Sequence, residues 1–171
     1  MLVGAIDKAT KEVFGTMLAA TLSDSRRDAN EDPAGAGVVS LVGLTGNWSG
    51  TGTFCCTPAA ARLVAVRMLT LEDAQIDSPT IDDEVLDAVA ELTNMVVGNI
   101  KNILADHFGD MAISIPTVVY GRNFRFKSFA GTVQETCIFD WEGHRFFIKV
   151  CLAPSYSQRP VGHERAVVVA S

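Results

Sequence analysis

Several common features are scarce or missing in this chain, and each shortage narrows what it can be. Basic charge is not in excess: 14 Lys and Arg stand against 20 Asp and Glu, for a net charge of −6. An acidic chain is repelled by a nucleic-acid backbone and by an anionic membrane surface, so neither is expected as a partner. No apolar run approaches the roughly 20 residues of a membrane span. Asp7, Lys8 and Lys11 interrupt the early apolar residues before the core of a secretory leader can form, so the cytoplasm is the expected location. The four cysteines, Cys55, Cys56, Cys137 and Cys151, include no C-x-x-C pair and have no His at metal-ligand spacing. They read as buried thiols of a reducing compartment, with the adjacent Cys55 and Cys56 on opposite faces of a strand. His107, His144 and His163 are scattered and take no role.

What is present is a globular composition, with 48% hydrophobic and 20% charged residues in 171, enough to bury a core. Residues 1–153 read as one domain, and 154–171 as a tail that is either an edge strand or flexible. A first helix is expected from Leu2 to Leu22, with Val3, Ile6, Val13, Met17 and Leu18 inward. Ser23 to Gly37 is polar and rich in turn formers, and reads as a loop. Val38–Thr45 and Trp48–Cys56 form a hairpin across Gly46-Asn47, a dipeptide permissive for positive φ. Gly43, Gly46, Gly50 and Gly52 are hairpin glycines and not a phosphate loop, since no helix opening with Lys-Ser/Thr follows. Thr57-Pro58 opens a short helix to Thr70, and Leu71 to Pro79 links it to the next element. Met111–Tyr120, Ser128–Asp140 and His144–Ala153 read as strands, the last two joined by a turn at Trp141-Glu142-Gly143. Arg122, Arg125, Lys127 and Arg145 make this region locally basic, as a surface loop and strand edge would be. The element order hints at a duplicated α/β unit.

The most informative stretch is Thr80 to Phe108, TIDDEVLDAVAELTNMVVGNIKNILADHF. Thr80 is placed to cap a long helix, Asp82, Asp83 and Glu84 complement its dipole, and Gly109 ends it. At about 100° per residue, Leu86, Val89, Ala90, Thr93, Val97, Ile100, Leu104 and Phe108 form an inward stripe. Asp87, Glu91, Asn94 and Gly98 align along a flank beside it. That line offers charge, an amide donor and acceptor, and a position without a side chain where a partner can come close. Leu92 and Met95 fall off the inward stripe, which leaves Met95 available to a partner. A solvated helix face would carry the same pattern, and spacing alone does not separate the two.

These residues carry a resemblance. DAVAELTNMVVGNI resembles the signature helix of the CheC/CheX/FliY family of bacterial chemotaxis phosphatases, an acidic or Ser residue followed by E-x-x-N, with Asp87, Glu91 and Asn94 in register. IPTVVYGRNFRFKSFAG (Ile115 to Gly131) is similar to the P-T-V-V-x-G…K-S-F segment typical of CheX. LVGLTGNWSGTGTF (Leu41 to Phe54) resembles the family's first Gly-rich hairpin. The resemblance implies an α/β (α+β) fold of duplicated helix–strand units, with the long signature helix packed on a largely antiparallel sheet.

It further implies a phosphatase acting on the phospho-aspartate of a CheY-type response regulator, as a homodimer. In that scheme Asn94 orients the attacking water and Glu91 reaches the receiver's Lys, while Asp87 supports the edge of the contact. No cofactor of the chain's own is implied, because the receiver supplies Mg²⁺. Two-site relatives carry a second E-x-x-N on the first helix; here Glu12 is followed by Gly15 with no Asn in that helix, so one active helix per chain is expected. Arg145 to Leu152 is a candidate dimer edge. Two other functions fit the same fold. One is a non-catalytic module like the flagellar switch proteins, against which the intact Asp87, Glu91 and Asn94 weigh. The other is a receiver-binding adaptor or phosphate sink.

Overall fold

The computed structural model describes residues 1–27, 37–69, 80–122 and 132–155. Its helices are Leu2–Met17 (α1), Pro58–Leu69 (α2) and Asp83–Phe108 (α3). Its strands are Arg26–Arg27 (β1), Val38–Gly46 (β2), Trp48–Cys56 (β3), Met111–Ile113 (β4), Thr117–Tyr120 (β5), Val133–Trp141 (β6) and His144–Pro154 (β7). All pair antiparallel in one sheet of order β1-β6-β7-β3-β2, with β4 and β5 one after the other along the outer edge of β2. No helix among the described residues is long and apolar enough to cross a membrane.

The duplication expected from element order is written into this sheet. Each half runs helix, edge strand, hairpin, and α2 bridges the halves. Exchanging β1 with the β4–β5 edge, β2 with β6 and β3 with β7 turns the strand order into its own reverse. Each half's edge strand therefore closes the other half's hairpin. The two long helices keep step as well. Ala5, Ile6, Ala9, Thr10, Val13 and Phe14 are buried on α1 as Ala88, Val89, Leu92, Thr93, Val96 and Val97 are on α3.

Between the helices and one sheet face lies the main core. Phe146 stacks on Phe14, Phe54 and Phe139 at centroid distances of 4.7, 5.3 and 5.2 Å, and Trp141 meets Phe14 edge-on. Such pairs add about 0.5–1.5 kcal/mol each beyond the area they bury. On the opposite face Val39, Cys55, Ile138 and Phe147 form one rung across β2, β3, β7 and β6. Cys56 belongs to the main core, so the adjacent thiols do face opposite ways.

Several local expectations are corrected. α1 ends at Met17, short of Leu22: Leu18 caps it, Ala19 turns to φ 49°, and the Ala20 N–H returns to the Phe14 carbonyl. Met17 is consequently 38% exposed, whereas Leu18 packs inward as expected. The polar stretch after α1 contains β1, two residues with no apolar pattern to betray them. Arg26 and Arg27 are held there by ion pairs to Asp140 and Glu135 across the sheet. The Gly46-Asn47 turn uses no positive φ; Gly46 is required because a Cβ there would overlap the Asp110 carbonyl. The last hairpin does use the left-handed region, at Glu142 (φ 48°) and Gly143 (φ 78°).

Arg145–Leu152 is not an edge. β7 is paired on both sides, by β3 and β6, and cannot offer a free ladder to another chain. The expected strand from Met111 to Tyr120 is broken into β4 and β5, and β6 runs from Val133, residues 128–131 of the strand expected there lying outside the described residues. Thr70, the 71–79 link, Arg125, Lys127 and residues 156–171 of the tail lie outside the described residues.

Candidate functional site

α3 is held by devices at both ends. Asp82, not Thr80, is the N-cap: its Oδ1 accepts from the Val85 N–H at 3.1 Å, with Asp83 and Glu84 in the first turn. At the other end Gly109 (φ 75°) donates to the Ala105 carbonyl, and Phe108 packs edge-on against Trp48 at 4.7 Å. Midway, Gly52 of β3 lets the helix settle onto the sheet, since a Cβ there would overlap Val97.

The buried face of α3 is broader than the expected stripe and rotated from it. It takes in Val85, Ala88, Leu92 and Val96, while Leu86 and Ala90 are only partly covered. Leu92 is fully buried, and Met95 is half-buried and packed on the core. Leu92 therefore lies on the apolar face, against expectation, while Met95 stands at its border and stays partly open to a partner. With that half of the wheel covered, Asp87, Glu91, Asn94 and Gly98 are not a flank. They are the outermost ridge of the helix, with Asp87 and Glu91 exposed and Asn94 and Gly98 half-exposed.

As helix chemistry this ridge is poor. Asp87 and Glu91 are like charges four residues apart, which destabilises a helix by about 0.2–0.5 kcal/mol. Asn is a weak helix former, and Gly in a helix interior costs about 1 kcal/mol relative to Ala. Nothing among the described residues repays these choices. Among the described residues Asp87, Glu91 and Asn94 have no hydrogen-bond or ion-pair partner. A Cβ on Gly98 would meet only the Ile113 Cδ1, at an ordinary 3.8 Å. Residues that oppose local stability without serving the fold point outward, to something that must approach closely. No group of three or more His, Cys, Asp or Glu among the described residues could hold a metal ion.

The matching ridge on α1 is different. In the register fixed by burial, Gly4, Lys8, Lys11 and Gly15 take the places of Asp87, Glu91, Asn94 and Gly98. Lys8 and Lys11, rather than Glu12 and Gly15, are thus the true counterparts of the E-x-x-N pair. Lys11 is bound to Asp7 at 2.9 Å and Asp24 at 2.5 Å. A cation in place of both the carboxylate and the amide can do neither one's work.

One neighbouring feature was not legible in the sequence. Between the pairs Leu44↔Ile113 and Leu41↔Thr117, three residues of the edge strand (Ser114, Ile115, Pro116) stand opposite two of β2. This is a bulge, held by Ser114 Oγ accepting from the Gly43 N–H at 2.9 Å. Pro116 was the available signal, because proline in a strand is confined to edges and bulges.

The family model described as "Chemotaxis phosphatase CheX" matches residues 38–140. The chain belongs to the CheX family. Over 94 residues it is 33% identical to the CheY-P phosphatase CheX of Thermotoga maritima, covering 54% of this chain and 57% of that protein. The match therefore spans little more than half the length of that curated relative. Among solved structures, the chemotaxis protein CheX of Vibrio vulnificus superposes with a TM-score of 0.73 at 25% identity, over 88% of this chain and 98% of that one. CheX of Borrelia burgdorferi, solved as a CheX–CheY–BeF₃–Mg²⁺ complex, superposes with a TM-score of 0.69 at 21% identity, over 90% and 98%. The duplicated antiparallel fold with its long ridge helix is thus the fold of CheX proteins.

Proposed function

We propose that this CheX-family chain dephosphorylates the phospho-aspartate of a CheY-type receiver domain in a chemotaxis or related two-component pathway. The carrying observation is the α3 ridge, where an unpartnered carboxylate, carboxamide and glycine stand in line at a cost to the helix. A curated relative named as a CheY-P phosphatase supports the same reading.

An acyl phosphate is already activated, so a helper need only place a water in line with the phosphorus. The water oxygen bonds to phosphorus as the bond to the aspartyl oxygen breaks. The aspartate leaves as carboxylate, and the water's proton passes to the released inorganic phosphate and solvent. Asn94 holds that water through its amide, which adds no negative charge beside the phosphoryl oxygens. Glu91, one turn earlier, pairs with the receiver's active-site Lys and sets the register of the complex. Asp87 extends the contact, Gly98 lets the receiver's backbone approach, and the exposed rim of Met95 packs beside Asn94. Mg²⁺, which shields the phosphoryl charge, belongs to the receiver in this scheme.

The test is the decay of a phosphorylated CheY-type receiver encoded by the same genome, with and without the chain. Faster decay at substoichiometric chain is expected. Binding without acceleration would instead make the protein an adaptor or phosphate sink.

A further inference from the structure

The ridge from Asp87 to Gly98 is about 16 Å long at 1.5 Å per residue. A specific protein–protein contact covers about 800 Å² on each partner, far more than one such line of side chains supplies. A receiver seated on Glu91 and Asn94 must also cover what lies beside them.

On the β2 side of α3 that neighbour is the bulged edge strand. Val97 packs over Gly52, which pairs with Val42, and the bulge Ser114–Pro116 stands opposite Val42 and Gly43. The turn from Asn94 to Gly98 and the bulge are therefore level along the sheet, and Ile113 closes the gap between them at Gly98. Ile115 is 87% exposed, more than any other large hydrophobic residue among those described. Scattered apolar residues are ordinary on a surface. A large aliphatic side chain this exposed, on a bulge beside an unpartnered ridge, is a different case.

We propose that Ile115 is the apolar anchor on which the phosphorylated receiver seats, so that Asn94 meets the phospho-aspartate in line. This rests on the phosphatase reading of the same site. Interfaces draw most of their affinity from a few buried apolar or aromatic residues beside the specific polar contacts. Ile115 supplies the first kind, and Glu91 and Asn94 the second. A strand edge also invites a second copy of the chain. The bulge and Pro116 interrupt that ladder where Ile115 stands, which favours a side-chain contact with a receiver over strand pairing.

The experiment compares kcat and KM of the full chain, Ile115→Asp and Ile115→Leu on a CheY-type receiver phosphorylated with phosphoramidate. Ile115→Asp is expected to raise KM about tenfold or more with kcat little changed, and Ile115→Leu to restore KM. An unchanged melting temperature shows that the exposed substitution spares the core. Unchanged KM in Ile115→Asp overturns the anchor. So does a loss of self-association by sedimentation with KM intact, which would assign the edge to a second copy. No acceleration by the unsubstituted chain overturns the phosphatase reading itself and the anchor with it.

Discussion

Thr93 and Thr10 do the same thing in the two halves of the molecule. Each is buried in its helix and donates its hydroxyl to the carbonyl four residues back, Thr93 to Val89 at 2.6 Å and Thr10 to Ile6 at 2.7 Å. These bonds satisfy the only polar groups on two otherwise apolar helix faces. They also fix the register in which the exposed ridges are compared, one acidic and amide-bearing, the other basic.

If catalysis runs through the α3 ridge as proposed, that register leaves the α1 ridge without a part in it. Replacing Lys8 and Lys11 together by Ala should leave the acceleration of receiver dephosphorylation within about twofold. Loss of the Lys11 ion pairs, which are open to solvent, should lower stability only slightly. Steady-state kinetics and a urea melt check both. A strong loss of activity would place a working surface on α1.

Gly98→Ala separates fold from function. The Cβ finds ordinary contact distance to Ile113, so the change should stabilise the chain by about 0.5–1 kcal/mol through helix propensity. If Gly98 is there to let the receiver approach, the same variant should bind it more weakly. A variant more stable and equally active would show that Gly98 has no role in docking.

The α3 ridge was legible because a helical period projects Asp87, Glu91, Asn94 and Gly98 onto one line whatever they face. Which half of the wheel was covered was not, because Leu92 and Val96 are buried by α3's position over the sheet, and Gly52 sets that position from another element. β1 was invisible because its two arginines are held by partners more than 100 residues away, Asp140 and Glu135. Assigning a dimer edge to Arg145–Leu152 failed for a similar reason: strand order is a non-local property, and the hydrophobic run there marks a central strand covered on both sides. The sequence did carry the duplication, in its element order. Only the exchange of edge strands between halves needed coordinates.

Glu91 should act through charge. Glu91→Ala is expected to raise KM with a smaller effect on kcat. The dependence of KM on salt seen with the unsubstituted chain should flatten in the variant, because an ion pair to the receiver's Lys is what salt screens. Equal salt slopes in both proteins would remove Glu91 from the contact.

The thiols should divide by burial. Burial pushes the Cys137 thiol up to about 11 and that of Cys56 higher still, and Cys55 is fully enclosed, whereas Cys151 is half-exposed. At pH 8 a chromogenic disulfide reagent should modify Cys151 first and reach the other three on the timescale of unfolding. Rapid modification of Cys137 in the native chain would contradict its placement under α1.

The most direct test of the account is single-turnover hydrolysis with Asn94→Ala at saturating chain over phosphorylated receiver. Saturation removes differences in binding, so the rate reports only how the water is placed. The account predicts a fall of about 10²-fold or more toward the receiver's own rate, the scale for losing a positioned polar group at the reacting centre. Binding of the receiver should be nearly unchanged. An undiminished rate in the saturated Asn94→Ala complex would mean that the ridge binds the receiver but another group directs the water.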